Sequence, residues 1–385
     1  MLMEIAGQGS VPATITARLL AVNWPLLGLV ITIASFGVAV LYSVAGGSFS
    51  PYAGTHLLRL LVGIGLILAM AVTPLRFWLG LSYPAYVAAL IALALIPLLG
   101  SEALGARRWL RLGDFSVQPS EIMKVALVAA LGRYYQWLPP ERISRPFWVA
   151  LPLLAIAAPV LLVLRQPDLG TAVLFASVGL GLMFLAGVNL LYLAGGAVAI
   201  AGLAPILWNH LHDYQRRRIL TFLDPERDPL GAGYHVLQSK IALGSGGLSG
   251  KGYMLGTQGQ LNFLPEKQTD FIFTVLGEEW GFVGGAALIG LYFALVLLLL
   301  AMALLCRSQF ARLLCGGSAL VISIYASVNV AMVTGVVPVV GVPLPLVSYG
   351  GTAMVTIFAG LGLAMCGYVN RHQQIRRDDV GALGA

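Results

Sequence analysis

The sequence predicts an all-α polytopic membrane protein, a bundle of about ten transmembrane helices with one large extracytoplasmic loop. Three observations predict it. Of 385 residues, 58% are hydrophobic and only 10% are charged, whereas soluble domains carry roughly 25% charged residues. So little polar surface could not cover a fold in water, which makes lipid the main solvent. The apolar residues gather into ten runs near the ~20 residues needed to cross the hydrocarbon core, and most polar sequence between the ends lies in one segment, 209–269.

Met1 to Leu20 is polar and lacks a cleavage-site pattern, so the first run, 22–44, reads as an uncleaved span. The next spans fall at 55–73, 77–99, 119–137, 147–164, 170–187 and 190–208. After the polar segment come 271–304, long enough to tilt or kink, then 312–336 and 347–368. Between the last two, Pro338 to Pro345 holds three prolines and Gly341. It cannot be helical, and non-helical backbone at membrane depth is tolerated where it lines a cavity. It is expected to wall an outer cavity, with Ser348 and Tyr349 at the top of the last span. Residues 1–385 thus read as one integral-membrane domain, with 209–269 as its outer loop.

Basic residues orient the bundle. With a cytoplasmic N-terminus, Arg18, Arg76, Arg133, Arg142, Arg145, Arg307, Arg312, Arg371, Arg376 and Arg377 fall inside. The short outer loops hold Arg59, Arg107, Arg108, Arg111 and Arg165. Ten against five favours this orientation, and both termini are then cytoplasmic. The net charge of +7 is read as this juxtamembrane arginine rather than a nucleic-acid surface. Cys306, Cys315 and Cys366 match no zinc or redox spacing. The outer arginines exceed what orientation asks for and require another role.

The large loop runs from Asp213-Tyr-Gln-Arg-Arg-Arg218 through Gly244-Ser-Gly-Gly247 and Gly250-Lys-Gly252 to Leu264-Pro-Glu-Lys-Gln-Thr-Asp270. Glycine-rich backbone interleaved with Lys and Arg can offer N–H groups and cations to phosphate oxygens; solvated loop charge is the plain alternative. Glu121 and Lys124 lie three apart on one helix face, where each would be costly toward lipid. A salt bridge inside the bundle explains them, and so does a cavity shaped by Lys124. Glu278 and Glu279 point apart on their helix and read as partnered bundle residues. Asp168 follows an X-Pro pair and suits a tight turn. Asp270, where the loop becomes the eighth span, suits a helix N-cap or a site open to both lipid and water.

Tyr214-Gln-Arg, Leu223-Asp-Pro-Glu, Gly231-Ala-Gly-Tyr, Gly244-Ser-Gly-Gly and Leu264-Pro-Glu…Thr269-Asp-Phe-Ile-Phe273 resemble the long loop of the SEDS family (shape, elongation, division, sporulation). So do Gln118-Pro-Ser-Glu121 with Lys124, Gln166-Pro-Asp-Leu-Gly-Thr171 and Val342-Pro-Leu-Pro-Leu-Val-Ser-Tyr-Gly-Gly351. Tyr234-His-Val-Leu-Gln-Ser-Lys-Ile-Ala242 is similar to the elongation members; Thr352 departs by replacing the usual serine.

The resemblance implies a peptidoglycan glycosyltransferase of the bacterial inner membrane. Such an enzyme polymerises the lipid-linked disaccharide-peptide lipid II with inversion, releasing undecaprenyl pyrophosphate. It implies Asp270 as the catalytic base. Arg108, Arg216, Arg218 and Lys251 are expected pyrophosphate or donor contacts, and Glu121, Lys124, Ser348 and Tyr349 are expected to line the substrate cavity. A divalent cation, magnesium or manganese, would suit the pyrophosphate, although no ligand cluster shows in the sequence. The implied partner is a class B penicillin-binding protein within the elongation machinery. A lipid II flippase and a non-catalytic scaffold remain the alternatives; against the flippase, the sequence shows no inverted repeat of broken spans.

Overall fold

The computed structural model describes residues 14–377 apart from 104–105, 113–114, 197, 199–201, 203–208, 210–215, 217–219, 223, 225–231, 261–263, 265 and 376. A short helix, α1 (Ile15–Leu20), precedes α2 (Trp24–Val44), α3 (Ala53–Ala71) and α4 (Leu75–Leu99). Three strands follow, β1 (Ser101–Ala103), β2 (Ala106–Leu112) and β3 (Phe115–Val117), and then α5 (Pro119–Trp137), α6 (Pro146–Leu164) and α7 (Leu169–Ala186). The chain continues through α8 (Ala232–Gly246), α9 (Thr257–Gln260), α10 (Ile272–Leu305), α11 (Gln309–Val333) and α12 (Gly351–Val369).

Eight of these helices are long and apolar enough to span a membrane: α2, α3, α4, α6, α7, α10, α11 and α12. The expected fourth span is α5, also long, but it carries Glu121, Lys124 and Arg133 and buries all three. The seventh, 190–208, falls mostly outside the described residues; 190–196 is helical. In α11 and α12 the buried share is 67%, against 28% in α4 and α6. The core therefore runs through α5, α11 and α12, while α4 and α6 turn their apolar faces outward.

Two features depart from a plain bundle. The strands β1, β2 and β3 pair antiparallel in that order, where a simple loop was expected. Part of the expected loop 209–269 is likewise helical. In α8 the fully buried Ser239 hydroxyl donates to Val333 O at 2.7 Å and lies 2.7 Å from Thr274 Oγ1, tying this helix to α10 and α11.

The long eighth span is broken. Gly281 lies at φ 67°, ψ −163° inside α10. Residues 247–252 insert at the break: Phe282 N–H donates to Gly247 O (2.9 Å) and Val283 N–H to Leu248 O (3.1 Å), while Lys251 N–H and Gly252 N–H donate to Glu278 O and Glu279 O, each at 3.0 Å. A Cβ at Gly250 would stand 2.1 Å from Glu279 O, and one at Gly281 would stand 2.3 Å from Gly250 N. The glycines of this loop permit backbone-to-backbone packing, and these two N–H groups are engaged within the fold.

Candidate active site

Asp270 closes a turn just before α10. Glu266 organises that turn: its carbonyl accepts from Thr269 N–H (3.0 Å) and Phe271 N–H (3.3 Å), and its Oε2 accepts from the Thr269 hydroxyl (3.0 Å). The N-cap position of α10 is Phe271, with no side-chain cap bond, so Asp270 stands one residue before the cap. The residue is half-buried, and its Oδ2 lies 3.4 Å from where a side chain at Gly341 would begin. Gly341, at φ +74°, takes a conformation that favours glycine and places no side chain against that oxygen.

The turn is pinned from behind. Asn329 of α11 is fully buried, and its amide donates to Asp270 O (2.9 Å) and Val342 O (2.7 Å). Ser348 is buried too; its hydroxyl donates to Thr269 O (2.6 Å) and accepts from Leu344 N–H (2.7 Å), while Tyr349 N–H donates to Gln268 O (2.8 Å). The stretch 338–344 is non-helical, as its prolines require. It is fastened at its far end by the Tyr292 hydroxyl on Pro345 O and by His56 Nε2, 3.0 Å from Leu346 O.

Glu121 and Lys124 meet as an ion pair at 2.6 Å, both almost wholly buried. The Thr356 hydroxyl donates to Glu121 at 3.2 Å, and the Lys124 ammonium sits 4.0 Å from the centre of the Tyr325 ring. Lys124 and Tyr325 line a small cavity with Leu344, Pro345 and Ser348. Tyr325 and Asn329 are four residues apart on α11, about 6 Å along one face. The lysine and the Asp270 turn therefore attach to successive turns of one helix.

The basic residues are placed variously. Arg108 donates to Pro167 O (2.7 Å) and pairs with Asp168 (3.4 Å); Asp168 caps α7 by accepting from Thr171 N–H at 3.1 Å, the turn role expected of it. Lys251 donates to Glu278 (2.7 Å) and Thr257 (2.8 Å), and the fully buried Glu278 also accepts from Thr257 and Gln258 N–H. Glu279 accepts from Ser43. The two glutamates are thus partnered separately. Arg216 donates to Asn209 O at 2.9 Å; Arg218 lies outside the described residues. Burial holds the Lys267 ammonium, which donates to Gly259 O, below the usual lysine range.

Two residues near Asp270 escaped the sequence reading. Arg59 stacks over the Tyr349 ring (4.6 Å), itself edge-on to Tyr52 (5.1 Å), and its Nη1 has no hydrogen-bond partner among the described residues. Its signal was an arginine in excess of orientation. Asn329 was legible only as a lone amide in an apolar span, itself a functional hint. Among the described residues no three His, Cys, Asp or Glu side chains converge. A divalent cation here would be held chiefly by substrate phosphates with one or two carboxylates, an arrangement magnesium accepts.

The family model described as a cell cycle protein, FTSW_RODA_SPOVE, matches residues 15–373. The chain is 45% identical over 316 residues to the peptidoglycan glycosyltransferase MrdB of Escherichia coli K12, covering 81% of this chain and 84% of that protein. It is 35% identical to the probable peptidoglycan glycosyltransferase FtsW of Trichlorobacter lovleyi, covering 90% and 93%. Among solved structures, a chain from a study of a peptidoglycan synthase complex that coordinates polymerization and crosslinking superposes with TM-score 0.77 at 39% identity, covering 92% of this chain and 100% of that one. The rod shape determining protein RodA of Thermus thermophilus superposes with TM-score 0.70 at 32% identity, covering 92% and 99%.

Proposed function

This chain belongs to the FTSW_RODA_SPOVE family of cell cycle proteins, and from that premise we infer that it polymerises lipid II with Asp270 as the base. It is a membrane-embedded peptidoglycan glycosyltransferase. Asp270 removes the proton from the 4-hydroxyl of the acceptor sugar as that oxygen attacks the anomeric carbon of the donor. The α-linked bond to undecaprenyl pyrophosphate breaks, the pyrophosphate leaves with the electron pair, and a β-1,4 bond forms. Pyrophosphate is a good leaving group, so cations can replace the second carboxyl of a glycosidase.

One observation carries this reading. The turn bearing Asp270 is held by Asn329, Ser348 and the Tyr349 amide, while Gly341 leaves room beside the carboxylate. A base fixed in position, with a glycine beside one of its oxygens, suits proton removal from a docked hydroxyl. Arg59 joins Arg108 and Arg216 as a cation for the pyrophosphate, since its buried Nη1 has no acceptor among the described residues. Lys124 keeps Glu121 neutralised and shapes the cavity wall. Lys251 serves the fold through Glu278.

The Asp270 end of the bundle faces outward in the bacterial inner membrane, with both termini in the cytoplasm; the arginine distribution supports this. A class B penicillin-binding protein cross-links the strands the chain makes, a pairing supported by its likeness to the synthase-complex chain. The purified chain with that partner, given fluorescent lipid II, should produce polymer ladders. Asp270→Asn should lower the rate at least ~10²-fold with thermal stability retained. Ladders at the wild-type rate from that variant, or transbilayer movement of precursor without polymer, would sink the proposal.

A further inference from the structure

The end of the bundle opposite Asp270 carries a second polar cavity. The ends of α5 and α7, the turn joining α10 to α11, and the segment after α12 enclose an open cleft of about 630 Å³. Arg307, Arg312 and Arg377 line it, and among the described residues its lining includes no aspartate or glutamate. The frame is rigid: Arg307 N–H donates to Arg371 O (2.8 Å), Phe310 N–H to Gln136 Oε1 (2.8 Å), and Gln136 Nε2 to Ile375 O (2.9 Å). Among the described residues the Arg312 guanidinium makes only long contacts to neutral acceptors, Gln309 Oε1 at 3.5 Å and Cys306 O at 3.4 Å. Tyr135 lines the same cleft, is 2% exposed, and its hydroxyl has no partner among the described residues. Buried hydroxyls are normally bonded, so this one points to an acceptor from outside the chain.

The surroundings identify the kind of molecule. Phe184, Leu304 and Leu305, at the ends of α7 and α10 that meet the cleft, are 54%, 81% and 57% exposed. An arginine-lined mouth beside an apolar, lipid-facing wall fits an amphiphile with a negative head better than a free anion. Basic pockets between spans bind phospholipid headgroups in this way. We propose that this cleft binds the phosphate diester of an anionic phospholipid, with Arg307, Arg312 and Arg377 on the phosphate oxygens and the acyl chains along Phe184, Leu304 and Leu305. A bound lipid would brace α5, α7 and α11 at the end of the bundle remote from the chemistry.

The test uses the full chain, delipidated in neutral detergent and titrated with phosphatidylglycerol or phosphatidylcholine of matched chains under native mass spectrometry. Phosphatidylglycerol should be retained and phosphatidylcholine should not. Removing each arginine should weaken binding about fivefold, ~1 kcal/mol per basic group near the surface, so Arg307→Gln with Arg312→Gln should lose about 25-fold. The paired Arg→Lys variant should stay near wild type, and Tyr135→Phe should weaken binding without touching charge. Should the double glutamine variant not fold, Arg377→Gln, at an exposed position, carries the test alone. Unchanged retention in the glutamine variants, or equal retention of both lipids, overturns the proposal. Displacement of the lipid by millimolar inorganic phosphate, with no dependence on acyl chains, would identify a small-anion site and overturn the lipid assignment.

Discussion

The role proposed for Asp270 asks for a carboxylate that is held still, and Asn329 anchors the backbone that carries it. Its amide spans two carbonyls, Asp270 O on one strand of chain and Val342 O on the other. In Asn329→Leu both carbonyls lose their donor. Stability should fall by about 1–3 kcal/mol, and kcat for polymerisation by roughly 10², while KM for precursor stays near wild type. Thermal unfolding and steady-state ladder assays measure these, and a wild-type kcat would show that Asp270 needs no such anchor. Lys251 offers the opposite test. If it serves the fold, Lys251→Ala leaves Glu278 buried and under-compensated, lowering stability by about 3 kcal/mol; its 27% side-chain exposure argues for the low end of the buried-pair range. A raised KM with unchanged stability would return Lys251 to the substrate site. Asp270 stands out in the sequence because its motif is contiguous. Asn329 was not, because its partners lie 59 and 13 residues away in sequence.

The break in α10 is an element-scale property that no local pattern announces. The run 271–304 promised either tilt or kink, and the choice is made by residues 247–252, which bond into the helix at Gly281. Gly281→Ala and Gly250→Ala each place a Cβ within 2.3 Å of backbone at a positive φ. The backbone strain alone is about 1–3 kcal/mol, and the contact adds to it. Both variants should unfold at lower temperature and become sensitive to proteolysis near 247–252. Gly244→Ala is the matched control: it lies within α8 with open space around it, and should stabilise by ~0.5–1 kcal/mol. Retained stability in Gly281→Ala would mean that the loop can leave the break at little expense. The strands β1 to β3 were missed although glycines and an aspartate, Gly105, Gly113 and Asp114, stand between those runs in the sequence. Turn residues flanking two short runs are a hairpin signal, hidden here by reading the segment as the space between two spans.

At the scale of the whole molecule, the spans were legible because lipid leaves the backbone few choices: an apolar run long enough to cross must bond to itself as a helix. Helix α5 could be found only as a run of the right length, and its burial follows from Glu121, Lys124 and Arg133, which must face protein. The arrangement also divides chemistry between two ends. Asp270, Arg59 and the 338–349 stretch lie at one end, and Arg307, Arg312 and Arg371 at the other. If the arginine bias sets orientation, the loop between α2 and α3 and the turn between α5 and α6 must lie on opposite sides of the membrane. Ser48 and Glu141 are exposed in these two connections, whereas Cys306, Cys315 and Cys366 are all buried. Single replacements Ser48→Cys and Glu141→Cys therefore report with little background. In intact cells whose outer barrier has been opened, a membrane-impermeant maleimide should label Ser48→Cys and leave Glu141→Cys untouched until the inner membrane is permeabilised. The reverse pattern would place Asp270 in the cytoplasm, where a base for strand polymerisation on the outer face could do nothing.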